Sequence, residues 1–129
     1  MIKRTHLAIG LAATIPLIMK NPISVLGVLG AIAPDWDKYL RLKHRTITHS
    51  LVALGVSTVG LYHVNKSVAL VWGICYASHL LADALTIKGV PFFYPYKKKY
   101  GLKLLKTGDV KEYVIQLLAI AILILRYIR

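Results

Sequence analysis

The chain has 129 residues, 57% of them apolar, and a mean hydropathy of +0.59, well above that of ordinary water-soluble domains. Seventeen Lys and Arg stand against five Asp and Glu, a formal net charge of +12. A soluble acidic or neutral domain is excluded, and a single cysteine, Cys75, excludes both an intrachain disulfide and a thiolate metal site. The basic residues fall between apolar runs, so anionic lipid headgroups are the expected neighbour and nucleic acid is not.

In chain order the apolar segments are 7–19, 23–33, 51–64, 67–87 and 113–125. Lys20-Asn21-Pro22, a polar stretch 35–50, Asn65-Lys66 and a basic loop 88–111 separate them. This predicts an all-α chain, a polytopic membrane bundle of about five helices in one membrane-embedded domain, 1–129. Segments one and two are short against the roughly 20 residues of a full span, so a re-entrant hairpin is an alternative to two crossings. Lys3-Arg4 before an apolar run resembles a signal peptide, but Pro34 after Ala31-Ile32-Ala33 disfavours cleavage, and the segment is expected to be retained.

With the N-terminus on one side, five alternating helices place thirteen of the seventeen Lys and Arg on that side. By the positive-inside rule that side is cytoplasmic. Trp36, Tyr39 and Tyr113 on it, and Tyr62 and Tyr127 on the other, fall where interfacial aromatic belts form. The localisation expected is the cytoplasmic membrane.

Four short stretches gather most of the scarce chemistry: Thr5-His6, Pro34-Asp35-Trp36-Asp37, His44-Arg45-Thr46-Ile47-Thr48-His49-Ser50, and Ser78-His79 with Asp83 and Thr86. They hold four of the five histidines and three of the five acids. All reach the cytoplasmic side in this topology. His79 and Asp83, four apart, share one helical face, a spacing by which two side chains on a helix reach one ion. An ionised Asp in a membrane helix costs about 2.5–3.5 kcal/mol on insertion scales, which a bound cation would offset. Imidazole with carboxylate and no thiolate suits Zn, Mn or Fe, and seven candidates are enough for two ions bridged by a carboxylate. Taken singly, each stretch also reads as a helix stop, a cap, a buried pair or an interfacial histidine; their joint arrival on one face favours a site. His63, at the other end of its helix, is read as interfacial.

These motifs, with Gly89-Val90 and Pro95 after the last, resemble the YdjM-like family of inner-membrane proteins regarded as metal-dependent hydrolases. The resemblance runs from Thr5-His6 to Pro95. It implies that His6, Asp35, Asp37, His44, His49, His79 and Asp83 are ligands or catalytic groups. The family is in turn distantly similar to zinc-dependent phospholipase C and P1 nuclease, which implies phosphoester hydrolysis. This chain lacks a later histidine that would complete a third ion, so one or two ions are expected. Some members are described as associating with a DNA-damage repressor, which keeps a partner-anchoring role open.

The metal ligands expected are His6, Asp35, His49, His79 and Asp83, with Zn first and Mn or Fe as alternatives. Asp37 or His44 would manage protons, Arg45 would grip a phosphoryl oxygen with its planar fork, and Thr48 or Ser50 would orient ligands. Lys97-Lys98-Lys99, Lys103 and Lys106 would draw anionic headgroups, or serve only as topology determinants. The function expected is hydrolysis of a lipid phosphoester at the cytoplasmic face. The alternatives are a non-catalytic metal-binding scaffold or partner anchor, and, less favoured because the apolar helices are nearly bare of polar residues, an ion transporter.

Overall fold

A computed structural model describes residues 2–41, 46–96 and 98–128. Four α-helices and three 3₁₀ helices follow in the order α1 (Lys3–Lys20), η1 (Pro22–Ala31), η2 (Ala33–Lys38), η3 (Ile47–His49), α2 (Leu51–Tyr62), α3 (Lys66–Ala84) and α4 (Val110–Ile128). The described residues form isolated bridges but no named strand: Thr86 pairs with Leu105 and Val90 with Tyr100, folding the segment after α3 back on itself.

Each start has a local cause. Asn65 accepts from the Val68 amide at 3.0 Å and caps α3, and Ser50 accepts from the Ala53 amide at 3.3 Å and caps α2. The start of α1 has no such side chain of its own, and the Ile2 amide instead donates to Glu112 Oε1 at 2.6 Å. A carboxylate there meets both an unpaired amide and the positive end of the helix dipole.

The second apolar segment departs from the expected α-helix. It is a ten-residue 3₁₀ helix, longer than the few residues over which that geometry usually persists. Three residues per turn line up Ser24, Gly27 and Gly30, all buried, along one edge. That edge lies on the backbone of α3: a Cβ on Gly27 would sit 2.5 Å from the Val68 carbonyl oxygen, and one on Gly30 2.6 Å from that of Trp72. Small residues every third position thus select the tighter helix.

Helix lengths divide the segments into two classes. The first segment is a full α-helix of 18 residues, whereas η1 and the 12-residue α2 extend only about 20 Å, short of the roughly 30 Å hydrocarbon layer. Among the described residues α3 is the one helix both long and apolar enough to cross a membrane; α1 and α4 match it in length but carry charges near their ends. By length and composition these helices supply one clear crossing among the described residues.

The distribution of polarity is inverted relative to a protein in water. Val56 is 70% exposed and Leu117 67%, and α2 buries none of its residues, while His6, Asp37, His49, His79, Asp83 and Glu112 are fully enclosed. Half of the buried hydrophobic residues are alanines. Large side chains outside and small or polar ones inside suit an apolar surround. The apolar part of the core, Val28, Ala31, Val71 and Cys75 with Leu7 and Leu11 packed on it, joins α1, η1 and α3 and sets the frame for the polar cluster.

Candidate metal centre

Three elements bring the scattered motifs together. The 3₁₀ turn of η2 presents Asp35 and Asp37, η3 presents His49, and the last turns of α3 present His79 and Asp83. The Tyr76 hydroxyl, one turn before His79, donates to the Thr48 carbonyl and ties η3 to α3.

Asp35, His49, His79 and Asp83 each offer one ligand atom, all buried and all within 4.8 Å of one another. Asp83 Oδ2 lies 3.2 Å from both His49 Nε2 and His79 Nε2. The two Nε2 atoms are 3.3 Å apart, and Asp35 Oδ1 is 3.4 Å from that of His49 and 3.5 Å from that of His79. Four donors placed tetrahedrally at 2.0–2.2 Å from an ion stand about 3.3–3.6 Å from one another. These five separations meet that spacing to about 0.1 Å.

The ring nitrogens facing away decide what the Nε2 atoms offer. His79 Nδ1 is 2.6 Å from the Ala31 carbonyl, which can only accept, so Nδ1 carries the proton and Nε2 in the neutral ring presents a lone pair. His49 Nδ1 faces Asp37 Oδ2 at 3.6 Å and Thr48 Oγ1 at 3.3 Å, the same polarity by side chains. Two lone pairs and two carboxylates then converge, which calls for positive charge at the centre. The cluster is a group that could hold a metal ion.

The other expected residues take distinct places. Asp37 stands behind His49, accepting from the Thr48 hydroxyl at 3.2 Å. His6 lies outside the four-donor set, stacked on His79 with ring centroids 3.6 Å apart and its Nε2 3.2 Å from Asp83 Oδ1. Ser50 caps α2 and Thr48 serves Asp37 and His49, so the two readings of that motif divide between them. His44, Arg45 and Lys97 lie outside the described residues. His63 ends α2, where the sequence put it.

The chain matches the YdjM inner membrane protein family over residues 1–128. It belongs to that family. Among curated proteins it is similar to the Uncharacterized protein YvsG of Bacillus subtilis (strain 168), 33% identical over 75 residues, which are 56% of this chain and 47% of that protein. The match thus spans about half the length of that relative. No solved structure matches. The YdjM family membership agrees with the resemblance seen in the motifs and with the inverted polarity of the fold; the distant likeness to phospholipase C and P1 nuclease has no counterpart in these comparisons.

Sequence reasoning missed three contributors. The Ala31 carbonyl fixes the His79 tautomer, but a backbone acceptor has no sequence signature. Gly30, beside it, lets η1 approach α3 closely enough for that bond, and the period-three run Ser24, Gly27, Gly30 was its available signal. Glu112, an acid beside a basic loop, is fully buried and accepts from Ile2, Thr5 and Gly108.

Proposed function

We propose that the chain is a membrane-bound metal-dependent hydrolase that holds a divalent cation, Zn before Mn or Fe, between Asp35, His49, His79 and Asp83. In this reading it cleaves a phosphoester, of a lipid, at the cytoplasmic face of a multi-pass arrangement. The observation that carries the metal is the near-tetrahedral convergence of two imidazole lone pairs and two carboxylates. A proton on one ring could satisfy one acceptor, whereas one ion satisfies all four. Imidazole with carboxylate and no thiolate favours Zn, Mn or Fe over Ca or Mg.

A divalent cation at this cluster with a position open to water or substrate would supply Lewis acidity towards a phosphoryl oxygen and bring the pKa of water towards about 7. The residues around it then have separable tasks. The Ala31 carbonyl holds His79 by its far nitrogen, and the Thr48 hydroxyl, backed by Asp37, holds His49 by its own, so the donor atoms keep their aim. Asp37 or His44 would move the proton, and Arg45 would grip the phosphoryl group. Exposed Phe93, Tyr96, Leu102 and Leu104 alternate with exposed Lys98, Lys99, Lys103 and Lys106, a mixture suited to lipid headgroups and the interface beneath them.

A second reading, a non-catalytic metal-binding scaffold, is favoured by one specific observation: four protein donors already complete a tetrahedral shell, as in structural zinc sites. The test is elemental analysis of detergent-purified protein beside the His79→Ala, Asp83→Ala double variant, followed by phospholipids and lipid phosphates in mixed micelles. Metal in the wild type and none in the variant, with phosphoester cleavage lost at least a thousandfold in the variant, is the expected result. Metal without cleavage of any substrate selects the scaffold. No metal after reconstitution with Zn, Mn and Fe sinks both.

A further inference from the structure

His6 is the buried group that the four-donor centre leaves over. Its ring is fully enclosed, and among the described residues neither Nδ1 nor Nε2 has a hydrogen-bond partner. Leaving a buried polar atom unpaired costs about 1–3 kcal/mol, so a ring with both nitrogens orphaned calls for a ligand. The ring cannot simply turn aside, because it lies against His79 at an interplanar angle of 16°.

Asp83 offers the rest of a second centre. Its Oδ2 belongs to the first, 3.2 Å from His49 and His79, while its Oδ1 lies 3.2 Å from His6 Nε2. That separation is short enough for a hydrogen bond, yet the atoms do not make one, since the oxygen stands to the side of the ring's N–H direction. An ion on that direction, bound to both atoms, requires such a sideways oxygen. The 3.2 Å spacing also equals the ligand-to-ligand separations of the first centre.

We propose that Asp83 bridges two divalent cations, the second held by His6 Nε2 and Asp83 Oδ1 with its remaining positions left to water or substrate. This rests on the metal reading above and deepens it. The first centre, closed by four protein donors, is the tighter and holds the fold together locally. The second has two protein donors, binds more weakly and supplies the open positions that hydrolysis of a phosphoester needs.

The test uses Mn²⁺ alone, titrated into the full chain in detergent, with free Mn²⁺ counted by electron paramagnetic resonance and bound Mn²⁺ examined frozen. The expected result is two equivalents, the second at least tenfold weaker, with the spectrum of a spin-coupled pair at saturation. His6→Ala should then bind one equivalent with an uncoupled spectrum. One equivalent in both proteins, or two coupled equivalents in both, overturns the assignment of His6 while leaving the first centre standing. No bound Mn²⁺ in the wild type overturns the first centre as well. If His6→Ala fails to fold and binds nothing, the wild-type spectrum decides alone: a coupled pair supports the proposal, and a single uncoupled ion ends it.

Discussion

Where η1 meets α3 the two backbones come into contact through glycine, and where α1 meets α4 an apolar groove lined by Ile9, Ala13, Leu118 and Ile122 runs between two polar ties. One tie is Glu112 at the start of α4, gripping Ile2 and Thr5; the other is Arg126 near its end, donating to Ala12. The first seam places the Ala31 carbonyl against His79 and so aims a metal donor. The second holds the N-terminal turn that carries His6. Close backbone contact gives the four-donor centre its rigidity, while the His6 side depends on a few long side chains, and the two seams should fail differently when disturbed.

The largest effect is expected from Gly30→Val. Its Cβ would meet the Trp72 carbonyl oxygen at 2.6 Å, a contact with backbone that no rotamer relieves. Overpacking costs about 1–3 kcal/mol, and this variant should reach the upper end. Thermal unfolding in detergent should fall accordingly, and metal content should fall with it because Ala31 moves. Unfolding and metal content equal to wild type would show that η1 and α3 do not touch as described.

Glu112→Ala tests the other seam at intermediate cost. It removes the acceptor shared by the Ile2 and Gly108 amides and the Thr5 hydroxyl. Losing it should cost about 2 kcal/mol, since some of these donors near the chain end can find water. Glu112→Gln, which keeps an acceptor oxygen, should cost less than half as much. The four-donor centre should keep its metal in both variants. Loss of metal from Glu112→Ala at temperatures where the protein remains folded would show that the seams are not independent.

The same contrast explains what the sequence made legible. Apolar runs marked α1, η1, α2, α3 and α4 within a few residues, because apolar stretches broken by Lys20-Asn21-Pro22 or Asn65-Lys66 leave few other readings. Asp35, His49, His79 and Asp83 stood out because acids are so scarce in this chain that their concentration near histidines needed a cause. Hydropathy could not see the 3₁₀ geometry of η1, since serine and glycine at a period of three change contact distance rather than apolar content. It could not see Ala31 at all, because the group that matters there is backbone. Glu112 was hidden by sequence distance: its partners Ile2 and Thr5 lie more than a hundred residues away, and nothing local distinguishes it from a surface acid.

The smallest effect sharpens the comparison most, because it can be isolated. Pro16 lies inside α1 and has no N–H, so the Ala12 carbonyl four residues earlier loses its helical partner. Arg126 Nη1 donates to that oxygen at 2.7 Å and approaches the Ala13 carbonyl at 3.4 Å, so the far end of α4 repairs a gap in α1. Arg126→Met keeps much of the apolar stem and should lower stability by about 1 kcal/mol. Pro16→Ala gives Ala12 a partner within the helix, and in that background Arg126→Met should cost clearly less, a coupling of at least about 0.5 kcal/mol in the double-mutant cycle. Equal costs in the two backgrounds would mean that Arg126 stabilises through its stem or its charge alone. The tie would then no longer be a repair of the proline gap, and the α1–α4 seam would rest on Glu112 and the apolar groove.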